Sequence, residues 1–344
     1  MSRLRIGFVG VGAMGQCAHL RNYAMLAEEC EVAALAELRP ELGRRVAARY
    51  GVSRVYPDAA AMLAGEQLDA LVASQPFGRH GLLLPELAAS GLPIFVEKPL
   101  VSSVAVGQSI LATLAAKGSR VMVGYHKRSD PASEWLKAEL ERLRATGEWG
   151  RLTYVRLTMP AGDWIAGGFG DLIRTADPAP ALACDPPDPE LTADQFRAYT
   201  AFVNYYIHQV NLLRFLFGED YSMTYAEPSG VLLAARSVSG VPGIIEMSPY
   251  STKQGWQESA LVTFEQGWLR LDLPAPLVRN LAGTVTAFDA RDGMTRSPQM
   301  PPEHAMLRQA RNFLRFVRGE AAAPCAAVEA LRDLELAREY LRLL

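Results

Sequence analysis

The chain opens with a strand, a glycine turn and a helix in immediate succession, and few folds accommodate that order. Residues 4–9 (Leu-Arg-Ile-Gly-Phe-Val) read as a short buried strand, followed by Gly10-Val-Gly12-Ala13-Met14-Gly15 and a helical stretch. In that setting each glycine has a task. The first makes the tight turn, the second lets the backbone approach a pyrophosphate, and the third lets helix and strand pack closely. Free N–H groups at the helix N-terminus then face the phosphates. Glycines in a tight turn are a weak signal alone; their place between two strands points to a dinucleotide.

The second strand, residues 32–36, ends in Glu37. A carboxylate there accepts hydrogen bonds from both adenosine-ribose hydroxyls and repels a 2′-phosphate, which favours NAD over NADP. Arg39, two residues on, pulls the other way, because a guanidinium there can hold that phosphate. Helices over 40–50, 58–65, 80–90 and 103–117 then alternate with strands near 55 and over 68–73, 93–96 and 120–124. This alternation predicts a doubly wound parallel sheet, in which ligands bind beyond the carboxyl ends of the strands. Three polar segments fall at those ends: Ser74-Gln75-Pro76 with Arg79-His80, Glu97-Lys98-Pro99, and Tyr125-His126-Lys127-Arg128. A lysine directly after a buried strand, rigidified by proline, suits polarising a substrate oxygen.

The 344 residues suit two domains, divided as 1–124 and 125–344. Hydrophobic content of 49% with 21% charged residues provides a full core, and a net charge of −2 gives no reason to expect nucleic acid or an anionic membrane. Cys17, Cys30, Cys184 and Cys325 are scattered with no zinc spacing, so no metal is expected and reduced thiols fit the cytoplasm. The N-terminus lacks a signal peptide's apolar run, and no segment has the length of a membrane-spanning helix.

In the second half, a helix over 132–145 leads to an alternating strand at 152–158. Residues 160–194, with prolines at 178, 180, 186, 187 and 189, read as a lid, a binding loop or an oligomer arm. Removing its proline-rich part is expected to leave dinucleotide binding intact. Asp163 and Trp164 at its start offer the carboxylate and aromatic face that sugar sites use. A helical stretch follows in which Asn204, His208 and Asn211 share one stripe of an otherwise apolar run, 202–216. Buried polar groups need partners, so the stripe suggests a shielded site. Strands over 223–226, 231–238, 243–250, 259–265, 267–273 and 283–289 predict a mainly antiparallel sheet with one covered face, the other available to a second subunit. Helices over 303–318 and 326–343 close the chain. His19 and His304 read as ordinary helix-start or loop residues.

The glycine turn, Gln75-Pro76 with His80, Glu97-Lys98-Pro99, and His208 in its helix occur in that order. This pattern resembles the Gfo/Idh/MocA oxidoreductases over essentially the whole chain. The resemblance implies an α/β architecture: an N-terminal Rossmann domain, then a C-terminal α/β domain with a large open sheet. It also implies NAD(P)-dependent chemistry on hydroxyls of a sugar or cyclitol, in a homodimer or homotetramer. Lys98 and His208 match the family's lysine near the nicotinamide and its acid/base histidine. Gly10, Gly12, Ala13, Met14, Gly15, Glu37 and Arg39 fall in the cofactor cradle, and Ser74, Gln75, Pro76, His80, Glu97 and Lys98 are further candidate cofactor contacts. Asn204, Tyr205, His126, Asp163 and Trp164 are the candidate substrate contacts. The chain departs from the family at Asn204 and Asn211, where acidic residues are common, and Tyr205 and Tyr206 rival His208 as acid/base. A net dehydrogenase, a redox-neutral enzyme that returns the hydride, and a non-catalytic sensor are the three competing functions. Lys98 and His208 speak against the sensor.

Overall fold

A computed structural model of the chain describes residues 2–178, 180–247 and 250–344. They form two compact units. The first comprises Met1–Tyr125, Gly168–Phe196 and Gln309–Arg332; the second comprises His126–Gly167, Arg197–Arg308 and Asp333–Leu344.

The first unit holds six strands, β1 (Leu4–Val9), β2 (Cys30–Ala36), β3 (Val55–Tyr56), β4 (Ala70–Ala73), β5 (Ile94–Glu97) and β6 (Val121–Gly124). They are ordered β3-β2-β1-β4-β5-β6, and every pairing is parallel. Strands β4, β5 and β6 are buried along their whole length. That is why they read as continuous apolar runs: both faces of a parallel sheet are covered. The connecting helices are α1 (Arg21–Met25), α2 (Pro40–Tyr50), α3 (Ala59–Gly65), α4 (His80–Ala88) and α5 (Val104–Ala116). The strand order reverses between β1 and β4, the switch point at which such sheets bind ligands.

The second unit contains an eight-stranded sheet made of β7 (Leu152–Thr158), β8 (Tyr221–Ala226), β9 (Leu232–Ser237), β10 (Pro242–Glu246), β11 (Ser259–Phe264), β12 (Gly267–Asp272), β13 (Thr284–Asp289) and β14 (Met294–Arg296). Its order is β14-β13-β12-β11-β7-β10-β9-β8, antiparallel except for β10 on β7. Alternating burial along β11 and β13 marks one covered face. Helix α6 (Pro131–Thr146) packs on β12 and β13, while the long α7 (Ala193–Phe217) lies against β10. There the chain needs Gly243, since a Cβ would stand 2.6 Å from the Phe217 ring. β14 was not expected from sequence; all three of its residues are exposed, so no apolar periodicity marks it. Part of the predicted strand 243–250, residues 248 and 249, lies outside the described residues. Helices α8 (Ala305–Val317) and α9 (Ala327–Leu343) end the chain. Among the described residues, no helix is long and apolar enough to cross a membrane.

The linear division at 124/125 assigns everything beyond it to one domain, but residues 168–196 and 309–332 belong to the first unit instead. Aromatic packing explains the second segment, as Phe313 of α8 meets Tyr23 and Phe95 with ring centroids 6.5 and 5.8 Å away. Hydrogen bonding explains the first. Gln16 exchanges bonds with both backbone groups of Ile173 at 3.0 and 3.2 Å, and Asp177 accepts from the Leu42 N–H of α2 at 2.9 Å. Asp185 accepts from the Gly81 and Leu82 N–H groups at 3.0 and 3.1 Å, and Asp188 from Val104 N–H at 3.2 Å. These carboxylates cap the first turns of α2, α4 and α5 from a distant segment. The stretch is a strap on the dinucleotide unit.

These bonds lead to a further expectation about its removal. Asp185→Ala should lower the unfolding free energy by about 1–2 kcal/mol, because two helix-start N–H groups lose a charged acceptor. Urea unfolding of the full chain reads this as a lower midpoint at constant m-value. Deleting 170–190 should weaken dinucleotide binding as well, since Gln16 sits in the helix after the glycine turn. An unchanged midpoint in Asp185→Ala would remove the capping role.

Candidate active site

The cradle is built by close backbone approach at the switch point. Gly10 has φ 90°, and a Cβ there would lie 2.4 Å from the Gln75 amide and 2.6 Å from the Ser74 carbonyl. Gly15 packs just as tightly, with a Cβ position 2.6 Å from the Gly10 carbonyl oxygen. Gly12 differs. Its Cβ would meet only Arg39, at 3.7 Å, so packing within the chain does not demand glycine there. Space over a turn with half-exposed Ala13 and Met14 is what a pyrophosphate requires, and the residues present fit a dinucleotide.

Glu37 ends β2 as a buried carboxylate whose acceptor positions are all engaged. Oε2 takes the Val11 N–H at 2.9 Å and an Arg39 guanidinium N–H at 3.2 Å. Oε1 takes the Arg39 backbone N–H at 3.1 Å and its Nε–H at 2.7 Å. Glu37 thus clamps the glycine turn. The two residues that the sequence set against each other form one ion pair.

Ser74, Gln75 and Pro76 follow β4, on the other side of the switch point. His80, assigned above to the cofactor, lies in the interior. Its ring is fully buried, with Nδ1 3.1 Å from the Pro99 and Leu100 carbonyls and Nε2 3.1 Å from the Gln75 carbonyl. Burial pushes its pKa down against the pull of those carbonyls. A neutral imidazole donates from one nitrogen only, so with its hydrogen on Nδ1 His80 binds the loop after β5 and packs against the loop after β4. Lys98 is partly exposed at the end of β5, and its backbone N–H donates to Glu97 Oε2 at 3.0 Å. Glu97 is itself buried. Burial works against its charge, yet the hydrogen bond from His19 and the charges of His19 and Lys98 hold it below the usual carboxylate range.

In the second unit, His208 is buried to 9% exposure, and its ring meets that of His126 edge-on at 4.6 Å between centroids. The polar stripe on α7 splits. Asn204 is exposed, whereas Asn211 is buried, accepting from Arg128 Nε at 2.7 Å and donating to Asp333 at 2.6 Å. Asn211 is a structural hub with Arg214, which also binds Asp333. Helical spacing gave no hint of Gln209, which donates to Glu258 at 2.8 Å; Glu258 also pairs with the buried Lys127. Burial pushes the Lys127 pKa down and raises that of the nearby Asp130 to about 6. Lys127, Asp130 and Glu258 line a cavity of about 10 Å³ beside His126, room for one water.

Tyr205 and Tyr206 part company. The Tyr206 hydroxyl donates to the Met247 carbonyl at 2.6 Å, while the Tyr205 hydroxyl accepts a 3.4 Å bond from Gly162 N–H, and burial raises its pKa. Asp163 Oδ1 accepts from the Ile165 and Ala166 N–H groups, both at 3.0 Å, which closes a turn. That oxygen is committed to the backbone. Trp164 is half-buried, and its carbonyl accepts from Leu277 at 3.3 Å. Sequence missed His19, which lies 2.5 Å from Glu97; its position four residues after Gly15 was the available signal. No group of three or more potential ligands able to hold a metal occurs among the described residues.

A parallel sheet with a glycine turn at its switch point and a carboxylate closing β2 defines a dinucleotide-binding oxidoreductase unit. Residues 4–125 match the family described as "Oxidoreductase family, NAD-binding Rossmann fold". The chain is 26% identical over 293 residues to an inositol 2-dehydrogenase of Acidothermus cellulolyticus, covering 81% of this chain and 76% of the relative. The WlbA dehydrogenase from Bordetella pertussis, solved with NADH and UDP-GlcNAcA, superposes with a TM-score of 0.68 at 20% identity, over 99% of this chain and 96% of that one. The aldose-aldose oxidoreductase from Caulobacter crescentus, complexed with glycerol, gives 0.73 at 17% identity, over 99% and 97%. These likenesses agree with the fold of both units.

Proposed function

We propose that the protein is an NAD-dependent dehydrogenase moving a hydride between nicotinamide and a hydroxyl-bearing carbon of a sugar, glycoside or cyclitol. The supporting observation is Lys98, partly exposed at the carboxyl end of β5, with its peptide held by a buried carboxylate one strand from the switch-point pair. The inositol 2-dehydrogenases among its relatives favour a cyclitol. Bound NAD supplies the hydride acceptor. Gly10, Gly12 and Gly15 hold its pyrophosphate, and Glu37 takes the ribose diol once Arg39 swings aside. The Lys98 ammonium polarises the reacting oxygen, and His208 takes the hydroxyl proton as the carbon is oxidised. His126 orients the His208 ring, while Asn204, Tyr205 and Trp164 contact the substrate. A cytoplasmic homodimer or homotetramer, joined through the open sheet face, completes the proposal.

The test is a panel of myo-inositol, aldoses and methyl glycosides with NAD and with NADP, followed by NADH or NADPH absorbance. NAD should give the higher kcat/KM, since a 2′-phosphate meets the Glu37 carboxylate; Glu37→Ala should narrow the difference. A wild-type preference for NADP would refute the Glu37 assignment. Spectral cycling of bound cofactor without net NADH would replace the dehydrogenase with a redox-neutral enzyme.

A further inference from the structure

The turn after the cradle is not an ordinary α-helix. Residues Gly15–Leu20 are wound as a π-helix before α1 continues with regular geometry. π-turns are uncommon and concentrate at functional sites, because an added residue rotates the rest of the helix by about 100°. His19 lies inside this turn with 2% exposure, its ring tilted against Phe95 at 5.0 Å between centroids. Its Nε2 stands 2.5 Å from Glu97 Oε1. Carboxylate oxygens here act as acceptors, so Nε2 carries the hydrogen. The other oxygen of Glu97 accepts from the Lys98 backbone N–H at 3.0 Å. One carboxylate therefore joins a side chain of the π-turn to the peptide from which Lys98 projects.

We propose that His19 is a positioning residue for Lys98, acting through Glu97, and that the π-turn serves to deliver it. This rests on the assignment of Lys98 to the chemistry. A buried carboxylate that lost its imidazole partner would be poorly compensated and free to rotate. The bond to Lys98 N–H would then loosen, and the ammonium would leave its productive position. Misplacement by about 1 Å can cost about a hundredfold in rate. His80 braces the same loop from its far side through Pro99 and Leu100, so the loop is held at both ends.

The test uses the full chain, NAD, and the fastest substrate among myo-inositol, D-glucose and methyl glucoside. His19→Phe keeps an aromatic face against Phe95 but no donor; His19→Gln restores an N–H at a similar reach. His19→Phe should lower kcat by about ten- to a hundredfold, with KM for NAD changed by less than about threefold. His19→Gln should recover kcat to within about threefold of wild type. Full kcat in His19→Phe, beside a crippled Lys98→Met, overturns this inference and leaves the proposed function standing. A folded His19→Gln variant as slow as His19→Phe also overturns it. If His19→Phe fails to fold, the kcat of His19→Gln decides. Near-normal turnover in Lys98→Met overturns both the Lys98 assignment and the role given to His19.

Discussion

Replacing Lys98 with Met should cut kcat by about 10²–10⁴-fold while NADH still binds. The size of the effect comes from placement. Lys98 leaves the end of β5 from a peptide whose N–H is fixed by Glu97, and Pro99 and Leu100 beyond it are tied to His80. Methionine keeps most of the length and apolar stem, so the loop should hold while the ammonium is lost. With the glycine turn and Glu37 proposed to hold the dinucleotide, its affinity should change little. NADH titration by fluorescence and steady-state kinetics together separate the two effects. Turnover near wild type in a variant that still binds NADH would end the proposal that Lys98 acts on the substrate oxygen.

His208→Ala should produce a loss in the same range, about 10²–10⁴-fold in kcat, again with the dinucleotide bound. His208 is the buried imidazole of α7, its ring braced edge-on by His126. The Tyr206 hydroxyl is committed to the Met247 carbonyl, which leaves Tyr205 as the competing acid/base. A harmless His208→Ala beside a crippled Tyr205→Phe would move the assignment to tyrosine and leave the fold untouched. Asn204→Asp probes the departure from the family. An aspartate one turn from His208 favours the imidazolium, so the acid limb of the pH–rate profile should move to higher pH. Because Asn204 is exposed, solvent screening keeps that movement small and sensitive to salt.

Much of this was legible in the chain itself, because it rests on local rules. Strand-helix alternation, the glycine spacing and the acidic end of β2 are properties of short segments, and short-range sterics and hydrogen bonding dictate what they form. Burial on both faces makes β4, β5 and β6 unbroken apolar runs, and one-sided burial makes β11 alternate; each period can be read directly. Features that depend on partners far along the chain were not legible. Residues 160–194 read as a lid, a binding loop or an oligomer arm because proline-rich sequence has no periodicity, yet Asp185 and Asp188 find helix N-termini about a hundred residues upstream. Helical spacing placed Asn211 beside His208, but spacing is blind to Arg128 and Asp333, which claim its side chain. Lys127 and Arg128 read as part of a polar segment at a strand end, yet Glu258 and Asn211 meet them in the interior. His19 passed for a helix-start residue because a π-turn has no signature in amino-acid type. Sequence alone determined the fold class and the cradle, since both arise from neighbouring residues. Tertiary structure decided which polar groups act as braces, because a buried polar group is defined by the partner that satisfies it.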